Sequence, residues 1–292
     1  MTEQFLNYLL LERNRSTLTV DRYRNGLQSL EGYFKAKDEK LDWTHIDGDV
    51  IRDWMESRLE SGAKATTVNT ELSAVHSFYR FAIARGLVKS DPSHFITGPK
   101  KHKPLPVFMR ESDMDRLIDQ EPWDDSYNSL RARTIIILLY ETGLRRGEVV
   151  GLNEKDVDLQ NCQLKVTGKR NKQRIVPFGQ ELKEVLEHYI EVRNDVIGGK
   201  PEALFLTKKG NRMTGQQVYD DVKNNLTRVT SQKKRSPHVL RHSFATSMLN
   251  HQAGLESVRQ LLGHESLQTT EIYTHTTFEQ LRRVYKEAHP RG

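Results

Sequence analysis

One stretch limits this chain before any other: residues 93–107, SHFITGPKKHKPLPV, which hold three prolines, a glycine and three lysines without an acidic residue. Proline removes a backbone donor and fixes φ, so such a stretch makes a poor helix or strand and a good connector. The 292 residues then fall into a segment 1–92, the basic linker 93–107 and a segment 108–292. That length suits two domains of ordinary size.

The first segment reads as a helical bundle. Phe5, Leu9 and Leu10 share one helical face, and Tyr23, Leu27 and Leu30 continue the spacing after a break expected near Thr17 and Thr19. Asp49 is placed to cap a helix carrying Ile51, Trp54 and Met55. From Lys64 to Arg85, apolar residues recur every three or four positions, and Gly86 ends the run.

The second segment is mixed. The IIILL run at 135–139 fits a buried strand or helix, and its length and the stop at Gly143 favour a helix. Between Val157 and Phe178 the period changes to two, which predicts three short strands, the last lying at an edge or ending at Pro177. Helices are expected over 181–193, 214–228, 237–250 (Ser236 as cap, Pro237 in the first turn), 255–262, 267–273 and 278–287, with a short strand at 204–207. The fold class is therefore mainly α with a small β-sheet.

Charge narrows the partners. The chain has 45 Lys and Arg against 39 Asp and Glu, and the whole excess of six falls after residue 100. This suggests a polyanionic partner, though net charge is weak support by itself. Cys162 is the one cysteine, which excludes an internal disulfide and a multi-cysteine metal site. Without an 18-residue apolar run or a secretory-type start, the expectation is a soluble, cytoplasmic protein.

Four constellations carry candidate chemistry. His238, Arg241 and His242 share a helical face beside an apolar stripe of Leu240, Phe244 and Met248. The two histidines have metal-ligand spacing, but the arginine between them repels a cation and no HExxH glutamate is present. A guanidinium beside a histidine suits a phosphate instead. The segment Lys165–Arg174 holds five basic residues and no acid, which favours a phosphate-bearing partner over a solvated hairpin by roughly 2:1. The GxxxxGK[ST] phosphate loop is absent, which counts against a nucleoside triphosphate. Arg145 follows a glycine stop, with Glu148 three residues on to orient one of the two guanidinia there; taken singly, a plain helix corner with a solvated ion pair is the better account of those residues. Finally, Tyr273 lies nine residues beyond His264. A lone tyrosine is usually core or interface, and becomes a nucleophile only beside a held electrophile. The doublets Asp124–Asp125 and Asp220–Asp221 read as solvated caps, so a carboxylate-based metal hydrolase finds no support.

Taken in order, TGLRRGEVVGL, VTGKRNKQRIVPF, SPHVLRHSFAT, LLGHESLQTTEIYTH and AHPRG resemble the motifs of the tyrosine recombinases, the phage-integrase family, and within it the Xer type. KATTVNTELSAVHSFYRF resembles that family's helical, SAM-like core-binding domain. The resemblance implies a core-binding domain over 1–92 and a catalytic domain over 108–292, closing as a C-shaped clamp on double-stranded DNA. It implies that Arg145, Lys169, His238, Arg241, His264 and Tyr273 are catalytic, with Glu148 supporting them by orienting one of the two guanidinia at 145–146, and that strands are exchanged through a 3′-phosphotyrosyl link with no metal, cofactor or ATP. Lys64, Lys100, Lys103, Lys172 and Arg174 are expected to contact DNA. The implied biology is Xer-type resolution of chromosome dimers, in chromosome partition at cell division, by a tetramer on two sites, with a second recombinase or a DNA translocase as a further partner. The chain begins almost at the core-binding motif, so an arm-binding domain is not expected. An integrase of a mobile element with the same two domains and a DNA-binding relative without chemistry are the alternatives. The segment Phe278–Tyr285, with Leu281 and Val284 on one face, is expected to dock either on a neighbouring subunit or within its own domain.

Overall fold

In the computed structural model, residues 1–100, 107–168, 171–263 and 275–291 are described, without the side chains of 275–279. The chain divides into two compact units, Met1–Pro104 and Leu105–Gly292. Residues 101–106 of the expected linker, Lys103 among them, lie outside the described residues.

The first unit is helical: α1 (Thr2–Asn7, continued by a wider π turn over Tyr8–Glu12), α2 (Thr17–Lys37), α3 (Gly48–Glu60) and α4 (Ala65–Ala84). Thr17 opens α2 instead of breaking it, because Ser16 Oγ accepts the Thr19 N–H and caps the helix. Asp47, not Asp49, caps α3, its carboxylate accepting the N–H groups of Asp49 and Val50. The core is aromatic. Phe78 lies edge-on to Phe5 with centroids 5.7 Å apart and 4.6 Å from Trp43, and Tyr79 Oη donates to the Trp43 carbonyl over 3.0 Å. Such pairs add about 0.5–1.5 kcal/mol each beyond the area they bury. Gly26 lets α2 and α4 approach, since a Cβ there would lie 3.1 Å from Glu71 Cα.

The second unit is built around α6 (Tyr127–Thr142), buried on nearly every side, where Ile135–Leu139 form the centre of the core. Before it comes α5 (Glu111–Asp115, continued by a π turn over Arg116–Gln120), and after it α7 (Arg146–Gly151). A three-stranded antiparallel sheet follows in the order β1 (Val157–Asp158), β2 (Gln163–Thr167), β3 (Gln173–Pro177), so the proline-bearing strand is at an edge. Then come α8 (Gln180–Ile197), α9 (Gly215–Leu226), α10 (Pro237–Asn250), α11 (Leu255–Leu262) and α12 (His275–Ala288). Residues 204–207 form no strand; only Leu206 makes an isolated bridge, to Arg212. Ser236 precedes α10 without a side-chain cap bond. No helix among the described residues is long and apolar enough to cross a membrane.

The fold is thus mainly helical with a small sheet. The C-terminal helix α12 packs within its own unit: Leu281, Tyr285 and Ala288 are buried with Phe244 and Met248 of α10 and Val258, Leu261 and Leu262 of α11. Asp221 departs from the expectation of a solvated cap. It lies inside α9, about four-fifths buried, where it pairs with Arg131 over 3.1 Å. Burial raises its pKa despite that pairing.

Candidate active site

The site forms where three helix ends and one strand meet. Helix α6 stops at Gly143, whose φ of +61° is the left-handed conformation that ends helices at small cost only for glycine. Two residues on, Arg145 starts α7 with its N–H donating 2.8 Å to Glu148 Oε2, while the Glu148 N–H donates back to the Arg145 carbonyl. The same carboxylate takes Arg145 Nη1 at 2.8 Å, so Glu148 fixes both ends of Arg145. Glu148 is buried and Arg145 is 38% exposed. An anchored arginine therefore presents an open side.

Helix α11 supplies the second half. It ends at Gly263 in the left-handed conformation (φ +64°), and its last carbonyls face the site. Three arginines from three elements donate to three consecutive carbonyls: Arg174 Nε to Leu261 at 3.1 Å, Arg241 Nη2 to Leu262 at 2.7 Å and Arg145 Nη2 to Gly263 at 3.0 Å. Arg241 also donates to the Gly143 carbonyl over 2.5 Å. A helix C-terminus leaves its carbonyls unpaired and carries partial negative charge, so cations collect there. Here they leave Arg145 and Arg241 side by side. Burial, then the charge of Arg145, brings the Arg241 pKa down to about 10, which still leaves it protonated near neutrality.

His238 lies in the first turn of α10, one turn before Arg241, and reaches solvent. Desolvation, then the charge of Arg146, then His242 and the arginines 241 and 145, lower its pKa below that of ordinary histidine. A neutral imidazole is able to accept a proton. His242 is exposed one turn on along α10.

Of the six candidate catalytic residues, the described structure brings together Arg145, His238 and Arg241; Lys169, His264 and Tyr273 lie outside the described residues. Gly168, just before Lys169, is held by its N–H to the Lys172 carbonyl at 2.7 Å. Lys64, Lys100 and Lys172 are exposed.

Arg174 is a correction. It was expected on the DNA, but it is buried, and its guanidinium is taken up by Glu148 through Nη1 at 2.8 Å and Nη2 at 2.9 Å and by the Leu261 carbonyl. The signal was in the strand parity. Arg174 shares the inward face of β3 with Val176, opposite Val166 of β2, while Ile175 points outward. Reading the basic run as one block hid that alternation.

Comparison with known proteins accounts for both units. Residues 107–280 match the phage integrase family, and residues 2–86 match the phage integrase N-terminal SAM-like domain. The tyrosine recombinase XerD of Pseudomonas aeruginosa is 38% identical, covering 100% of this chain and 98% of its own. The tyrosine recombinase XerC of Chlorobaculum tepidum is 37% identical, with 99% and 94% covered. Among solved structures, the XerH site-specific recombinase bound to a palindromic difH substrate in a post-cleavage complex has the same fold, with a TM-score of 0.72 at 22% identity, over 97% of this chain and 83% of that one.

Proposed function

The chain belongs to the phage integrase family as a site-specific tyrosine recombinase, a DNA strand-transferring enzyme, and we propose that it exchanges strands through a phosphotyrosyl intermediate formed by Tyr273. The observation that carries this reading is the pairing of Arg145 and Arg241 on adjacent carbonyls of α11. Two guanidinia held there suit one phosphodiester, whose transition state concentrates charge on its non-bridging oxygens. They take the part a divalent cation plays in metal-dependent nucleases.

In this reading Tyr273 Oη attacks the phosphorus, the bond to the 5′-oxygen breaks, and a 3′-phosphotyrosyl link and a free 5′-hydroxyl result. The tyrosine proton, ordinarily lost near pKa 10, passes to neutral His238. Lys169 gives a proton to the departing 5′-oxygen, and His264 donates a hydrogen bond to the phosphate. A 5′-hydroxyl from a second strand then reverses the step. The bond energy is conserved in the link, so neither ATP nor a metal is required.

The biological role proposed is resolution of chromosome dimers during partition, by a tetramer on two sites in the cytoplasm, with a partner recombinase or translocase. Its support is the full-length likeness to XerD and XerC proteins. Mapping covalent attachment of the protein across its host's genome tests it. Attachment at a single locus near the replication terminus is expected; attachment at the ends of a mobile element overturns the role and leaves the reaction standing.

A further inference from the structure

We propose that Arg174 is a positioning residue for strand transfer: it occupies the inner side of the Glu148 carboxylate, so that Glu148 holds Arg145 without neutralising it. This rests on the reading of Arg145 as a phosphate ligand. Glu148 lies between two guanidinia, with Oε1 2.8 Å from both Arg145 Nη1 and Arg174 Nη1, and Oε2 2.9 Å from Arg174 Nη2. Two cations and one carboxylate leave one net positive charge for the phosphate. Burial pushes the Glu148 carboxyl up, but Arg174, then Arg145, pull it below the usual range, so it stays ionised.

Without Arg174 the balance changes. A buried carboxylate left with one partner is costly. Its best remaining geometry is a bidentate fork on Arg145. That fork draws Arg145 off the Gly263 carbonyl and cancels its charge. Arg174 also ties two elements together, since its Nε holds the Leu261 carbonyl at the end of α11 while its backbone belongs to β3. The surroundings are shaped around it. A Cβ on Gly263 would lie 3.2 Å from Cδ, Nε and Cζ of Arg174.

The test is single-turnover covalent-adduct formation on a nicked site at saturating protein, with affinity and melting temperature measured alongside. R174Q is expected to form adduct about 10- to 100-fold more slowly with affinity unchanged within about twofold. The double variant R174Q/E148Q removes both buried charges and keeps an acceptor for the Arg145 N–H, so it is expected to be faster than R174Q. A purely structural role would instead make the rate follow the melting temperature across the variants, and rates that simply track it overturn the proposal. R174K, which keeps the charge and loses the fork, is expected to be slowed about 3- to 30-fold. An R174Q rate within about twofold of the unaltered protein, or a double variant no faster than R174Q, overturns the proposal. If R174Q does not fold, R174K decides: an unreduced rate overturns it. The unaltered protein in the same assay reports separately on the reaction, since absence of its adduct removes the underlying reading.

Discussion

The hydroxyl of Tyr285 donates to Glu141 Oε2 over 3.1 Å, joining the C-terminal helix to the buried end of α6. Glu141 is fully buried, its Oε2 also accepts the Gly179 N–H at 3.0 Å, and its Oε1 has no hydrogen-bond partner among the described residues. Beside Tyr285, the His289 ring stacks at 5.1 Å, and Arg291 closes the region on Asp115, Asp119 and Glu181. The anchor of α12 is therefore a buried polar contact, and it titrates.

Burial, opposed by the Gly179 bond, raises the Glu141 pKa to about 8 from 4.5. A folded-state pKa above the unfolded one gives stability that is full below the unfolded value and lost as pH rises through the folded one. His289, lowered by burial to about 4, acts in the opposite sense, and its contribution is lost only as pH falls from 6.5 through 4. Between pH 6.5 and 8 the Glu141 loss dominates this cluster, about 2 kcal/mol at about 1.4 kcal/mol per pKa unit, and it levels off above 8. Thermal melts of Glu141→Gln should show a clearly flatter fall over that range than the unaltered protein. Parallel slopes would contradict the assignment.

Gly143 should tolerate no side chain. Its left-handed φ costs another residue about 1–2 kcal/mol, and a Cβ would lie 2.6 Å from Phe244 Cδ1 and 2.8 Å from Leu262 Cδ2. Overpacking adds about 1–3 kcal/mol. Gly143→Ala is expected to lose about 2–5 kcal/mol in urea denaturation and, by shifting the carbonyl that holds Arg241, to lower adduct formation as well. An unchanged denaturation midpoint is the opposing result.

Phosphate contacts are read by salt. Lys64, Lys100 and Lys172 are exposed, and each alanine variant should reduce the slope of log affinity against log salt by about 1. Buried Arg174 should leave the slope unchanged. A lysine variant with an unaltered slope is not on the DNA.

Lys169→Ala separates proton donation from binding. Loss of a general acid costs about 10²–10⁴-fold, and a 5′-bridging phosphorothiolate, whose sulfur leaves without a proton, should restore most of that rate. A variant equally slow on both substrates removes the general-acid role.

How much of this was legible in the residues differs by element. Helix α4 was readable because burial of one face leaves a clear 3–4 spacing and a glycine marks its end, whereas α6, buried on nearly every side, was readable only from its length and the Gly143 stop. The Arg145–Glu148 pair was readable too, its partners being three positions apart. The three arginines on the end of α11 were not, since Arg145, Arg174 and Arg241 meet only through tertiary packing. Asp221 was misread because its partner Arg131 lies ninety residues away. The burial of Arg174 is not visible in charge composition and shows only in the alternation of β3.

The central claim is that Tyr273 is the nucleophile in a site whose phosphate ligands are arginines. It is tested by mixing the protein with a nicked recombination half-site in EDTA and looking for a protein–DNA adduct that survives denaturation. The unaltered protein is expected to form it, and Tyr273→Phe is expected to bind the same DNA and form none. Adduct that persists in Tyr273→Phe, or that appears in the unaltered protein only when a divalent cation is restored, would contradict the account.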